Sequence, residues 1–85
     1  MDAYKIAGIL RTIKVMDALQ RKQGSYRLGE ISQWAVISRA TCDRYLKRMV
    51  AWQLIEISVG KYNGLPCRYF SITSEGEEFS KVLWI

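Results

Sequence analysis

The sequence predicts an α+β fold, mainly α: a three-helix core, a β-hairpin and a C-terminal helix. Three observations predict it. Apolar residues recur at helical spacing up to residue 52, and the pattern then switches to short strand-like runs over residues 54–72 around an Asn-Gly pair. A helix-start signal, Thr73-Ser74 followed by Glu77, comes last. The 85 residues are expected to form one domain, 1–85, because domains use about 100–200 residues each.

Ile6, Ile9, Leu10, Ile13, Met16 and Leu19 follow the 3.6-residue period, so a first helix is expected from about Asp2 to Lys22. Asp2 suits the positive end of its dipole, Arg21 and Lys22 suit its last turn, and Gly24 stops it. Arg11, Lys14, Arg21 and Lys22 form a basic stripe, read as a solvated face. Tyr26-Arg27-Leu28 reads as a short edge strand, and Ile31, Trp34 and Ala35 predict a second helix over about Gly29 to Val36. Ser38 is an N-cap residue type, and a third helix is expected from Arg39 to Trp52. Its apolar arc is Cys42, Tyr45, Leu46, Met49, Val50 and Trp52; its opposite arc is Ala40, Asp43, Arg44, Lys47 and Arg48.

Leu54, Ile55, Ile57 and Val59 predict one strand and Arg68 to Ile72 a second, joined through Gly60-Lys61-Tyr62-Asn63-Gly64-Leu65-Pro66. Thr73 or Ser74 caps the final helix, whose apolar side is Phe79, Val82 and Leu83. Trp34 and Trp52 are expected to pack in or beside the core. The tail Val82-Leu83-Trp84-Ile85 is expected to pack on the first helix or on a second subunit.

Thirteen Lys and Arg against eight Asp and Glu leave +5 and a pI near 9.5, which suggests an anionic partner. That charge is local: residues 37–72 carry +4, residues 1–36 carry +3 and residues 73–85 carry −2. The absence of His removes imidazole bases and imidazole metal sites, and two cysteines, Cys42 and Cys67, are too few for a zinc knuckle. There is no paired-carboxylate or phosphate-loop pattern, so no enzyme, metal or cofactor is expected. Without a membrane-spanning run or secretory signal pattern, the expected location is cytoplasmic, with reduced thiols.

The run Ile31-Ser32-Gln33-Trp34-Ala35-Val36-Ile37-Ser38-Arg39-Ala40-Thr41-Cys42-Asp43-Arg44-Tyr45-Leu46-Lys47-Arg48-Met49 resembles the helix-turn-helix of winged-helix transcriptional regulators. In that superfamily the pattern reads roughly Ile-Ala-x-x-x-Gly-Val-Ser-x-x-Thr-Val-x-Arg-x-Leu-x-x-Leu. Gln53-Leu54-Ile55 resembles the Gly-Leu-Ile that opens the wing, and Phe70-Ser71-Ile72-Thr73-Ser74-Glu75-Gly76 resembles the Tyr-x-Leu-Thr-x-x-Gly junction after it. The match is in register over about residues 28–76. Val36 and Gln53 stand where the superfamily has glycine. Either the backbone avoids the left-handed region there, or local packing holds a non-glycine residue in it at a cost of about 1 kcal/mol.

The resemblance implies a sequence-specific duplex-DNA-binding regulator with the Arg39–Trp52 helix in the major groove, which is about 12 Å wide. Ser38 and Thr41 are candidate phosphate contacts, and Ala40 is small enough to approach base edges. Arg44, central on the outward arc, is the candidate guanine reader; Arg39, Lys47 and Arg48 are candidate phosphate contacts. Lys61, Tyr62 and Asn63 at the hairpin tip are candidates for the minor groove or flanking backbone, supported by Arg68. Asp43 is expected to pair with Lys47. The resemblance also favours a homodimer through the terminal helices on a palindromic site, with no small-molecule effector. The alternative is a winged-helix protein–protein interaction module, since fold alone does not set function. Single-stranded nucleic acid is a third reading, for which only Tyr62 and Tyr69 offer stacking surfaces.

Overall fold

A computed structural model describes residues 3–22 and 24–83, with α1 Ala3–Lys22, α2 Leu28–Ala35, α3 Arg39–Ala51, β1 Ile55–Tyr62, β2 Leu65–Ile72 and α4 Ser74–Leu83. Asp2, Trp84 and Ile85 lie outside the described residues, as do the side chains of Ile6, Ile9 and Leu83.

Val15, Met16 and Leu19 of α1, Ile31 and Ala35 of α2, and Cys42, Tyr45, Leu46 and Met49 of α3 form the core. Leu54, Ile55 and Phe70 close it from the hairpin base. Helix α1 packs through Val15, Met16, Ala18 and Leu19, so Met16 and Leu19 of the expected stripe are buried, whereas Leu10 is 53% exposed. At about 100° per residue Leu10 falls opposite Leu19.

Tyr26-Arg27-Leu28 is not a strand. Tyr26 makes a single antiparallel bridge, its N–H donating to the Phe70 carbonyl (2.9 Å) and its carbonyl accepting from the Phe70 N–H (2.8 Å). Arg27 then occupies the N-cap position of α2 and Leu28 is already helical.

Helices α2 and α3 end alike. Val36 (φ 57°) and Gln53 (φ 63°) are both left-handed, so the backbone keeps the geometry for which the superfamily uses glycine. After α2, the Val36 N–H donates to the Gln33 carbonyl and the Ile37 N–H to the Ser32 carbonyl; after α3, Gln53 donates to Val50 and Leu54 to Met49. These paired bonds are Schellman motifs, and in each the following residue, Ile37 or Leu54, is turned toward the core. This corrects the expectation for Trp52. It lies past the last turn of α3 (φ −85°, ψ 2°), where the helical wheel no longer applies, and is 57% exposed while Leu54 fills the core position.

The hairpin is longer than expected. Its strands pair from Ile55↔Ile72 to Tyr62↔Leu65, leaving a two-residue turn with Asn63 at φ 54° and Gly64 at φ 80°, as a type I′ turn demands. Gly60, Pro66 and Cys67 are therefore ladder residues. Because the Phe70 N–H points to Tyr26 and alternate residues face the same edge, the nitrogen of Pro66 faces that outer edge, where it denies no bond to β1.

Thr73 caps α4: its Oγ accepts from the Gly76 N–H (2.9 Å) and donates to the Gln53 carbonyl (2.7 Å). The inward face of α4 carries buried Gly76 and Ser80, whereas Phe79 and Val82 are exposed, contrary to expectation. Small side chains let α4 lie close to the hairpin base, so its larger apolar residues project outward.

Candidate nucleic-acid interface

One side of α3 is committed to the core, and that fixes the other. With Cys42, Leu46 and Met49 fully buried, Ala40, Arg44, Lys47 and Arg48 are brought together on the exposed arc. Asp43 and Lys47 form the expected i, i+4 ion pair, Nζ to Oδ2 2.8 Å. The guanidinium groups of Arg44 and Arg48 flank the Tyr45 ring at 5.7 and 5.3 Å from its centroid. Tyr45 itself is buried and its hydroxyl abuts Gly8 of α1.

At the start of α3 the two hydroxyls are engaged with each other. Ser38 Oγ accepts from the Thr41 N–H (3.2 Å) and donates to Thr41 Oγ (2.9 Å). Ser38 thus stabilises the helix start, a role worth about 1 kcal/mol, and the Thr41 hydroxyl, which accepts from Ser38, keeps its own proton to donate to a phosphate oxygen. Arg39 turns back along α2, where its guanidinium rests on Gly29.

On the hairpin the ladder separates the candidates. Alternation puts Lys61 and Arg68 on one face with exposed Val59, and Tyr62 on the other with Tyr69. Asn63 occupies the turn. Tyr62 does not stand free: the Arg27 guanidinium lies over its ring, 3.6 Å from the centroid. Arg27 and Gly29 belong to this surface although sequence reasoning did not single them out. Their contacts join residues 35 and 10 positions away respectively, and no local pattern signals such pairings.

Cys42 is the one titratable group among the described residues with a resolved shift. Burial, and then the negative charge of Asp43, push its thiol up to about 11. It is a core residue. No helix among the described residues is long and apolar enough to cross a membrane, and none of their His, Cys, Asp and Glu residues cluster in a way that could hold a metal.

The same arrangement of helices and hairpin is found in solved transcription regulators. A PadR family regulator from Clostridium difficile superposes with a TM-score of 0.73 at 22% identity, over 85% of this chain and 80% of that one. A MarR family regulator from Silicibacter pomeroyi gives a TM-score of 0.79 at 20% identity, over 88% of this chain and 49% of that one. A PadR-like regulator from Bacillus cereus gives 0.67 at 21% identity, over 93% and 81%. The chain thus spans most of the PadR structures and about half of the MarR structure. Among curated proteins no sequence matches it. The IclR helix-turn-helix domain family matches residues 8–57, more than half of the chain, from α1 through α3 into β1, and the chain belongs to that family of DNA-binding transcription regulators.

Proposed function

We propose that the chain reads duplex DNA by placing α3 in the major groove and laying the hairpin on the flanking backbone or minor groove. The observation that carries this is the exposed arc Ala40, Arg44, Lys47 and Arg48, on a helix whose opposite side is core. Arg44 has the reach and fork geometry for the O6 and N7 acceptors of guanine, and Ala40 leaves room for base edges. Arg39, Lys47 and Arg48 supply phosphate contacts beside Ser38 and Thr41, and Lys61, Asn63 and Arg68 supply them from the hairpin. Tyr62 contributes from the opposite face of the hairpin tip.

We further propose that the chain acts as a binding protein without catalysis, inside the cytoplasm, as a homodimer on a two-fold-symmetric site. Exposed Val82 and Phe79 on α4 and exposed Leu10 on α1 give the terminal helices apolar surface to bury. Half-sites are then about one helical turn apart.

The test is an anisotropy titration with duplexes selected from a random pool, run at several salt concentrations, alongside the mass in solution. About five phosphate contacts per subunit give a log–log salt slope of roughly −4 to −5. Absence of duplex binding at low salt overturns the reading.

A further inference from the structure

We propose that Arg27 is a positioning residue for the hairpin: stacked on Tyr62, it fixes the hairpin tip relative to α2 and α3 and so sets where the hairpin meets DNA. The proposal rests on the duplex-DNA reading above.

Arg27 is itself held firmly. It follows the Tyr26–Phe70 bridge, and its carbonyl accepts the Ile31 N–H at 3.1 Å in the first turn of α2. The Glu30 carboxylate accepts from both the Arg27 backbone N–H (3.2 Å) and Nε (3.1 Å). That pairing orients the guanidinium and leaves its planar face for the Tyr62 ring, at 3.6 Å from the centroid, well inside the ~6 Å range of a cation–π contact.

The hairpin end of the contact is equally defined. Tyr62 pairs with Leu65 next to the Asn63-Gly64 turn. The Tyr69 ring lies over Gly60, where a Cβ would come within 3.0 Å of it, and the Tyr69 hydroxyl donates to the Lys61 carbonyl at 2.8 Å. The tip is thus stiff within itself. Its distal half nevertheless projects beyond the core, with Val59 and Leu65 exposed, and a two-stranded ribbon without a third layer is marginal and free to twist. The Arg27–Tyr62 stack ties that half back to α2. Lys61 and Arg68, on the other face of the ribbon, are thereby carried to a fixed offset from Arg44.

The experiment compares the full chain with Arg27→Ala, Tyr62→Leu, the double variant and Tyr62→Phe, free and on a selected duplex. Without DNA, backbone order parameters over residues 60–67 are expected to drop from near 0.85 toward 0.6 in Arg27→Ala and Tyr62→Leu, with a single cooperative unfolding transition lowered by no more than a few degrees and Tyr62→Phe like wild type. With DNA, each single variant is expected to lose about tenfold in affinity and the double variant no more than either. Hydroxyl-radical protection should disappear on the flanks and persist over the central major groove. Tips as ordered as wild type, additive losses, or intact flanking protection would each overturn the proposal. Additive losses would mean that Arg27 and Tyr62 contact DNA independently. If wild type protects no duplex, the DNA reading fails instead, and the DNA-free order parameters tell the two failures apart.

Discussion

The carbonyl oxygen of Leu54 lies against the α-carbon of Gly76, so close that a Cβ there would overlap it and sit 2.7 Å from Ile72. The same carbonyl accepts the Thr73 N–H at 3.0 Å. Helix α4 is therefore seated directly on the turn that leaves α3, and neither side can yield, because the obstructing atom is backbone. Gly76→Ala is expected to cost about 3 kcal/mol, at the upper end of overpacking penalties and a large share of the stability of a small domain. Urea denaturation measures it. An unchanged midpoint would show that α4 is not held at this contact.

Val36 is a β-branched residue in the left-handed region and is 80% exposed. Nothing in the packing is lost by removing that side chain, while left-handed strain of about 1–2 kcal/mol is relieved. Part of the gain is offset by the extra freedom of glycine in the unfolded chain. Val36→Gly should thus stabilise by roughly 0.5–1 kcal/mol. A melting curve should show a rise of a few degrees, since ~1 kcal/mol moves a domain of this size by about 4–8 °C. Gln53→Gly should act in the same direction, with the Schellman bonds intact in both.

The Cys42 thiol, raised to about 11 from an ordinary 9.0, binds its proton more tightly in the fold than in the unfolded chain. Its contribution to stability is therefore complete below about pH 9 and is lost as pH rises from 9 toward 11. Thiolate is the reactive form. Iodoacetamide at pH 8 should modify Cys67, which is half-buried, and spare Cys42 in native protein, while both react in denaturant. Mass spectrometry counts the adducts, and two adducts on native protein would contradict a closed core at α3.

Most of the architecture was legible because it depends on local signals. The Ser38 cap, the Asn63-Gly64 turn and the i, i+4 placement of Asp43 and Lys47 each involve residues within four positions of one another, and all three stand in the structure. What was not legible depends on contacts distant in sequence. The exposure of Leu10 depends on which side of α1 meets α2, α3 and α4, which the helical period alone does not determine. Trp52 is the exception: its outward turn follows from the adjacent left-handed Gln53, one of two backbone conformations that a non-glycine residue leaves open there. On the interface, the helix arc followed from the wheel. The partition of Lys61 and Tyr62 to opposite hairpin faces needed the strand register, and the Arg27–Tyr62 stack needed the tertiary fold.

Asp43 restrains the arc it borders. Its carboxylate holds Lys47 Nζ at 2.8 Å, and it is the acidic side chain nearest the exposed row Ala40, Arg44, Lys47. Facing DNA, Lys47 must share its charge between Asp43 and a phosphate, and Asp43 adds repulsion of its own. Asp43→Ala gives up an exposed helical ion pair worth about 0.3–0.5 kcal/mol and frees Lys47. Affinity for all duplex sequences should then rise severalfold, and the salt slope should steepen by up to ~0.9, the value of one additional phosphate. Lys47→Ala should do the reverse, weakening all sequences alike. Arg44→Ala should behave differently from both, costing about 1–3 kcal/mol on the preferred site and little on random duplex, because a base contact is lost rather than a charge on the backbone. Competition titrations with specific and random duplex separate the cases. If Arg44→Ala weakens both duplexes equally, the guanidinium grips phosphate, and base reading must come from another residue on the arc.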